Sequence, residues 1–390
     1  MVVAGGSLGG LTAALVLRDL GCEVDVEERS TEELEARGAG IVVLDETLRY
    51  LRERTEIADD EISIPPSLLR YLGPDGSTVY EARRPYRYSG WHTIYRALLG
   101  RFPEDRYHLG REVAGLEQEP ERGDVRLSFA DGTDATCELL VCADGIGSSS
   151  RARLLPEVRP APAGYVAWRG TVPEAVLDVA TLAAFADALV YQVIASSHIL
   201  LYPIPNIDGA TEPGRRLLNF VWYRNYANDA FAALMTDRDG VRREITVPPG
   251  AVAEEHAREM RAFAAARLAP QIAAVVAATA EPFIQAIFDI EVPRMAFGRI
   301  CLLGDAAFAL RPHIAAGTAK AAADGWALAE ALSATGGEVG PALASWEARQ
   351  LRVGRAALER ARRNGQRSQF EGTWIPGDPD LAFGLTGPLN

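Results

Sequence analysis

Three groups of residues, near positions 5, 144 and 305, have the types and spacing to hold a nucleotide. The first, Gly5-Gly6-Ser7-Leu8-Gly9-Gly10, follows the short β-branched run Val2 to Ala4. Leu11 to Arg18 then has helical apolar spacing, Gly21 stops it, and Val24-Asp25-Val26 alternates like a second strand before Glu28. Strand, glycine turn, helix, strand and acid make up the dinucleotide-binding βαβ unit. Glycines let the backbone approach a pyrophosphate, whose charge sits at the helix N-terminus. Glu28, eighteen residues after Gly10, is spaced to accept hydrogen bonds from ribose hydroxyls. Ser7 stands where the second fingerprint glycine usually falls; its hydroxyl can donate to a phosphate but crowds the approach. The second group is the strand-like Leu139 to Ala143 ending in Asp144-Gly145, with Ser148 and Arg151 behind it. The third is Arg299 to Leu303 ending in Gly304-Asp305, followed by Pro312, Gly317 and an Ala-rich helix from Thr318 to Ser333. Each alone reads equally well as a tight turn that binds nothing. The three in this order are far more specific.

The elements that must position these groups are those of a large soluble protein. The chain has 390 residues, with 48% hydrophobic and 24% charged, which excludes disordered, fibrous and disulfide-stapled classes. The net charge of −13 argues against nucleic acid or an anionic membrane surface as partner. Cys22, Cys137, Cys142 and Cys301 fit no zinc or redox spacing, so they read as small buried hydrophobes, and no metal site is expected. With no signal peptide and no membrane-length apolar run, a cytoplasmic location is expected. The first strand starts one residue after Met1, which suggests that a residue or two is missing from the numbering. From Tyr165 to about Pro293 the pattern turns β-rich, with Tyr165–Val172, Val190–Ile194, His198–Pro203 and Leu217–Tyr223 reading as an antiparallel sheet. Helices are expected over Ala253–Ala266 and Pro270–Ala278, with another from Gln350 onward, and an extended strap from Gly372. A sheet laid against the nucleotide domain would form a ligand pocket at the junction.

Together these stretches resemble the single-component FAD-dependent aromatic hydroxylases of the p-hydroxybenzoate hydroxylase type, over nearly the whole chain. The details are most similar to a subgroup around 2,6-dihydroxypyridine 3-monooxygenase. They are the glycine turn at 5–10, Tyr165-Val166-Ala167-Trp168-Arg169-Gly170, Val221-Trp222-Tyr223-Arg224-Asn225, and the run from Gly304 to His313. Against the wider family, Phe308 replaces a usual His, Ala315 a glycine and Ala319 an Asn, and Trp91 falls where an Arg or Gln often touches FAD. Side-chain contacts of distant relatives therefore do not carry over at these positions, whereas Asp305 and the backbone contacts are untouched.

The resemblance implies an α/β fold: an FAD-binding Rossmann-like βαβ domain (1–70, 92–160 and 290–350), an inserted antiparallel-sheet substrate domain (71–91 and 161–289), and a C-terminal helix and tail (351–390). It implies noncovalent FAD bound by Gly5, Gly6, Ser7, Leu8, Gly9, Gly10, Glu28, Arg29, Arg37, Asp144, Asp305, Ala315, Ala316 and Gly317. The glycine turn and Glu28 would take the adenosine half, the Asp144 segment would serve FAD and the nicotinamide cofactor, and Asp305 would bond the ribityl chain. The loop from Pro312 to Gly317 would offer N–H groups to the flavin pyrimidine edge, backed by a helix N-terminus. His198, Tyr202, Trp222, Tyr223 and Pro312 would line the substrate pocket, with Tyr191 a further candidate. His313 is the candidate catalytic base, with a loop brace as its competing role. Lys320 is expected to face solvent or a phosphate.

The implied reaction is monooxygenation. NADH or NADPH would reduce FAD, O2 would form a flavin C4a-hydroperoxide, and its distal oxygen would pass to a hydroxylated aromatic or N-heteroaromatic ring. A small aromatic substrate and O2 are the implied partners, and a homodimer is compatible with the sequence. Other FAD chemistry (epoxidation or Baeyer–Villiger oxidation) and a non-catalytic flavin-binding protein stay open. A halogenase lacks its Trp-x-Trp-x-Ile-Pro stretch here, a nicotinamide dehydrogenase would leave Asp144 and Asp305 without roles, and a glutathione-reductase-like enzyme needs a second glycine-rich unit.

Overall fold

The structure, a computed structural model, describes residues 1–34, 39–65, 67–118 and 123–386. Arg37 lies outside the described residues. A six-stranded sheet runs in the order Ala296–Phe297, Ile300–Leu302, Leu140–Cys142, Val2–Ala4, Asp25–Glu28, Tyr107–Leu109. Every neighbouring pair is parallel except the hairpin formed by the first two. Its central strands are apolar and buried, as a parallel sheet covered on both faces requires. Helix Leu8–Asp19 packs on helix Gly317–Ala334. That approach is close: a Cβ at Gly325 would lie 2.9 Å from the Ala13 Cα. The three acids of the sequence motifs therefore lie at the same ends of parallel strands in one sheet, with Val2–Ala4 between the strands of Asp144 and Glu28.

The second layer is an eight-stranded sheet, ordered Thr246–Val247, Phe283–Asp289, Ala161–Pro173, Leu217–Asn225, Ser197–Ile204, Ala188–Ile194, Ser67–Leu72, Thr78–Arg84. One face buries Trp168, Phe220 and Trp222 against helices Glu254–Arg267 and Pro270–Ala278. The other buries Tyr165, Tyr191, Tyr202 and Tyr223. The sheet is mixed rather than wholly antiparallel, because Ser67–Leu72 pairs in parallel with Ala188–Ile194. More than a hundred residues separate those two strands, so no hairpin dictates their direction.

The C-terminal helix runs Val339–Gln366, starting well before Gln350. It continues into a π-turn at Arg367–Glu371, and the tail folds back so that Trp374 is buried against the tyrosine face. No helix among the described residues is long and apolar enough to cross a membrane.

Candidate active site

Two cavities lie beyond the C-terminal ends of the parallel strands, lined at one point by the adjacent residues Gly145 and Ile146. The smaller, a cleft of about 700 Å³ open to solvent, lies beyond the strand ends, where open α/β sheets bind ligands. Gly5, Ser7, Glu28, Arg29, Asp144 and Gly145 line it, joined by Trp91 and Arg111. The Glu28 carboxylate accepts the N–H groups of Gly6 and Ser30, each at 2.8 Å, so it fixes the glycine turn as well as facing the cleft. Gly6 shapes the turn, while Leu8, Gly9 and Gly10 open the first helix, where Gly9 packs close to Ala321. A Cβ at Gly10 would fall 1.8 Å from the Gly5 carbonyl oxygen, so the turn excludes any side chain there. Ser7 precedes the first helix and its hydroxyl makes no capping bond.

The Asp144 carboxylate accepts the Ser148 hydroxyl at 2.5 Å and the Ser150 N–H at 3.0 Å. Arg151 is buried and joins the two acidic turns, donating to the Ile146 carbonyl at 2.6 Å and the Ala306 carbonyl at 3.2 Å. Gly145 lines the smaller cavity and Ile146 the larger, so one elongated ligand can lie across both.

The larger cavity, about 1090 Å³ and open to solvent, lies between the eight-stranded sheet and the loop after Pro312. Asp305, Pro312, Ala315, Ala316 and Gly317 form one wall, and His313 of the same loop packs against Tyr165, His198 and Tyr223 of the sheet. Arg169, Tyr191, His198, Tyr202, Tyr223 and Gln285 form the facing wall, and Phe383 of the tail closes an edge. Water reaches Asp305 through this cavity, yet the surrounding protein raises its carboxyl pKa against the pull of Lys320 and Arg151. Ala315 adopts the left-handed conformation, φ 50°, and turns the loop into helix Gly317–Ala334. The accessible Asp305 carboxylate, the helix N-terminus at Gly317 and the adjacency of the two cavities suit a dinucleotide with a flat ring at one end.

His313 Nε2 is 2.7 Å from the Tyr165 hydroxyl, and its Nδ1 is buried without a partner. Burial, with His198 and Arg311 nearby, holds its pKa well below 6.5. His198 Nδ1 bonds Ser368 in the C-terminal π-turn, and burial lowers its pKa to about 3. Both imidazoles are therefore uncharged at neutral pH. Burial raises the Tyr191 and Tyr223 hydroxyls, and brings Tyr202 to about 12 against the pull of Arg169.

Two expectations are corrected. Trp222 is not a pocket wall: it lies in the core on the opposite face of its strand, with Nε1 donating to the Ser197 hydroxyl at 2.9 Å. Its neighbours Val221 and Tyr223 line the cavity instead. Lys320 faces neither solvent nor a phosphate; it is buried, 2.5 Å from Asp324, whose carboxylate also accepts the Gly304 N–H. Of the cysteines, Cys22 is half-buried and the other three are buried, all as free thiols. Arg169, Gln285, Arg111 and Phe383 line the two cavities without having been singled out. For Arg169 a signal existed, since it stands two residues after Ala167 on a strand and shares its face. Phe383 sits in a Pro/Gly-rich tail with no periodicity to read.

The FAD binding domain-like family model matches residues 162–289. A 2,6-dihydroxypyridine 3-monooxygenase from Paenarthrobacter nicotinovorans is 38% identical over 387 residues, covering 99% of this chain and 95% of that one. The solved structure of 2,6-dihydroxypyridine-3-hydroxylase from Arthrobacter nicotinovorans matches with a TM-score of 0.93 at 36% identity, over 100% of this chain and 97% of that one. Klebsiella pneumoniae HpxO, solved with FAD and uric acid, has the same fold, with a TM-score of 0.76 at 23% identity over 97% of this chain and 90% of that one. With a relative this similar spanning both sheets and both cavities, the chain belongs to the FAD-dependent aromatic hydroxylases.

Proposed function

We propose that this monooxygenase hydroxylates a small hydroxylated N-heteroaromatic ring, of the dihydroxypyridine kind that the relatives' names carry, using O2 and NADH or NADPH. The observation that carries this reading is the larger cavity. It sets a flavin-type loop and Asp305 opposite a wall of tyrosine, histidine and arginine side chains. Aromatic walls suit a flat ring, because ring contacts add roughly 0.5–1.5 kcal/mol beyond area burial. FAD, once reduced by NAD(P)H, supplies the activated oxygen.

This chain's own residues do the rest. We assign the adenosine half of FAD to the smaller cavity, with Glu28 and Arg29 beside it, and the ribityl chain to Asp305. The loop from Pro312 to Gly317 offers backbone N–H groups to the ring system. We assign the parallel sheet to FAD and the eight-stranded sheet to substrate. Tyr191, Tyr202 and Tyr223 exclude water from the ring's surroundings. His313, uncharged and braced by Tyr165, helps form the wall that orients the substrate. The four free thiols suit a reducing compartment and support a cytoplasmic location.

The test is a panel of hydroxypyridines, phenols and hydroxybenzoates, scored for stimulated NAD(P)H consumption with product analysis. Hydroxypyridines should stimulate most and leave with one added hydroxyl. Stimulation by none of the panel, or by hydroxybenzoates alone, would overturn the substrate assignment.

A further inference from the structure

Arg169 is the one arginine or lysine among the described residues lining the larger cavity. Its Nη2 donates to the Gly40 carbonyl at 2.6 Å and its Nη1 to Gln285 Oε1 at 3.2 Å, both neutral oxygens. Its Nε is buried without an acceptor. Beside it, Asn219 Oδ1 accepts the Gly40 N–H at 2.8 Å. Arg311, Arg216 and Lys320 are each matched by a carboxylate, from Asp289, Glu174 and Asp324, whereas the buried Arg151 and Arg360 donate to backbone carbonyls and, unlike Arg169, do not line the larger cavity. What sets Arg169 apart is that its guanidinium, bonded only to neutral oxygens, faces a cavity a ligand can enter, where an anion would form a charge-assisted hydrogen bond.

We propose that Arg169 recognises the substrate as an anion, pairing with one ionised ring oxygen, and so selects rings acidic enough to enter deprotonated. This deepens the reading that the cavity takes a hydroxylated ring, and rests on it. The groups facing this end of the cavity are consistent with such a role. Tyr191, Tyr202 and Tyr223 stay protonated, His198 and His313 stay neutral, and Asp305 lies on the opposite wall. No imidazole with a pKa near 7 is available to take the proton. The O–H bond instead ionises to bulk water, and the oxygen left behind meets the guanidinium. An opposite charge at about 4–6 Å lowers an acid's pKa by roughly 1–3 units.

The experiment is a spectrophotometric pH titration of 4-nitrophenol and of 2,6-dihydroxypyridine bound to the FAD-loaded enzyme, without NAD(P)H. Each probe absorbs differently when ionised. The wild type should bind both as anions, with bound pKa values about 1–3 units below the free ones. Arg169→Gln should keep its flavin absorbance, lose that shift and bind at least about tenfold more weakly at neutral pH, while Arg169→Lys recovers part of the shift. Because Arg169 also ties down Gly40, Gln285→Glu supplies an independent arm. It leaves the Gly40 bond in place, sets a carboxylate beside the guanidinium, and should abolish the shift equally. Neutral probes in the wild type, or an unchanged shift in Arg169→Gln or Gln285→Glu, would overturn the role of Arg169 alone. Binding of neither probe at any pH would overturn it together with the reading beneath it.

Discussion

His198 and His313 stand with ring centroids 5.3 Å apart in the wall of the larger cavity, and burial keeps both uncharged. In the unfolded chain each titrates near 6.5. Below that pH the unfolded state binds more protons than the folded one, so folding stability falls as pH drops from about 6.5 toward 3. The loss should reach a few kcal/mol. Melting temperature measured across this range should decline in the wild type and decline less in His198→Asn; a flat wild-type profile would contradict neutral imidazoles. At Asp305, replacement by Ala should give largely colourless protein if it holds the ribityl chain as proposed; full FAD retention would remove that assignment. These residues were legible because each follows a strand or a proline at a characteristic place. The error at Trp222 has a physical cause: Leu217 to Tyr223 is buried on both faces, so no polar alternation marks which side chains face the cavity. Lys320 was misread because a lone lysine in an Ala-rich helix looks solvated, whereas its partner Asp324 lies one helical turn on.

At the scale of elements, the loop ahead of helix Gly317–Ala334 holds strain at Ala315, since a left-handed non-glycine residue costs roughly 1–2 kcal/mol. Ala315→Gly should stabilise the protein by somewhat less, about 0.5–1 kcal/mol, because glycine adds unfolded-state entropy. Denaturant unfolding measures this, and a destabilised variant would contradict the strain. The Lys320–Asp324 pair pins the same helix to the Gly304 turn. Lys320→Met should cost about 3–5 kcal/mol by leaving a buried carboxylate unpaired, and adding Asp324→Asn should restore part of it. Helices were the most legible elements, because apolar period and Pro270 at a first turn mark them directly. The start of Val339–Gln366 was not, since Gly340-Pro341 reads as a break. A proline in the first turn lacks only an N–H that has no intrahelical partner, so the helix runs through it.

At the scale of the whole molecule, the parallel sheet presents three acid-ended strands to one side, and the eight-stranded sheet faces them across the larger cavity. The parallel half was legible because its turns carry fixed chemistry. The pairing of Ser67–Leu72 with Ala188–Ile194 was not, because nothing local encodes a partner so distant in sequence. In the proposed account this monooxygenase holds FAD along one sheet and a hydroxylated ring against the other. The most direct test is the origin of the oxygen added to the ring. FAD-loaded protein, NAD(P)H and 2,6-dihydroxypyridine under ¹⁸O2 should yield a product carrying one ¹⁸O atom for each NAD(P)H consumed in coupled turnover. A product whose new oxygen comes from water, or NAD(P)H consumption that no hydroxylated ring alters, would contradict the account.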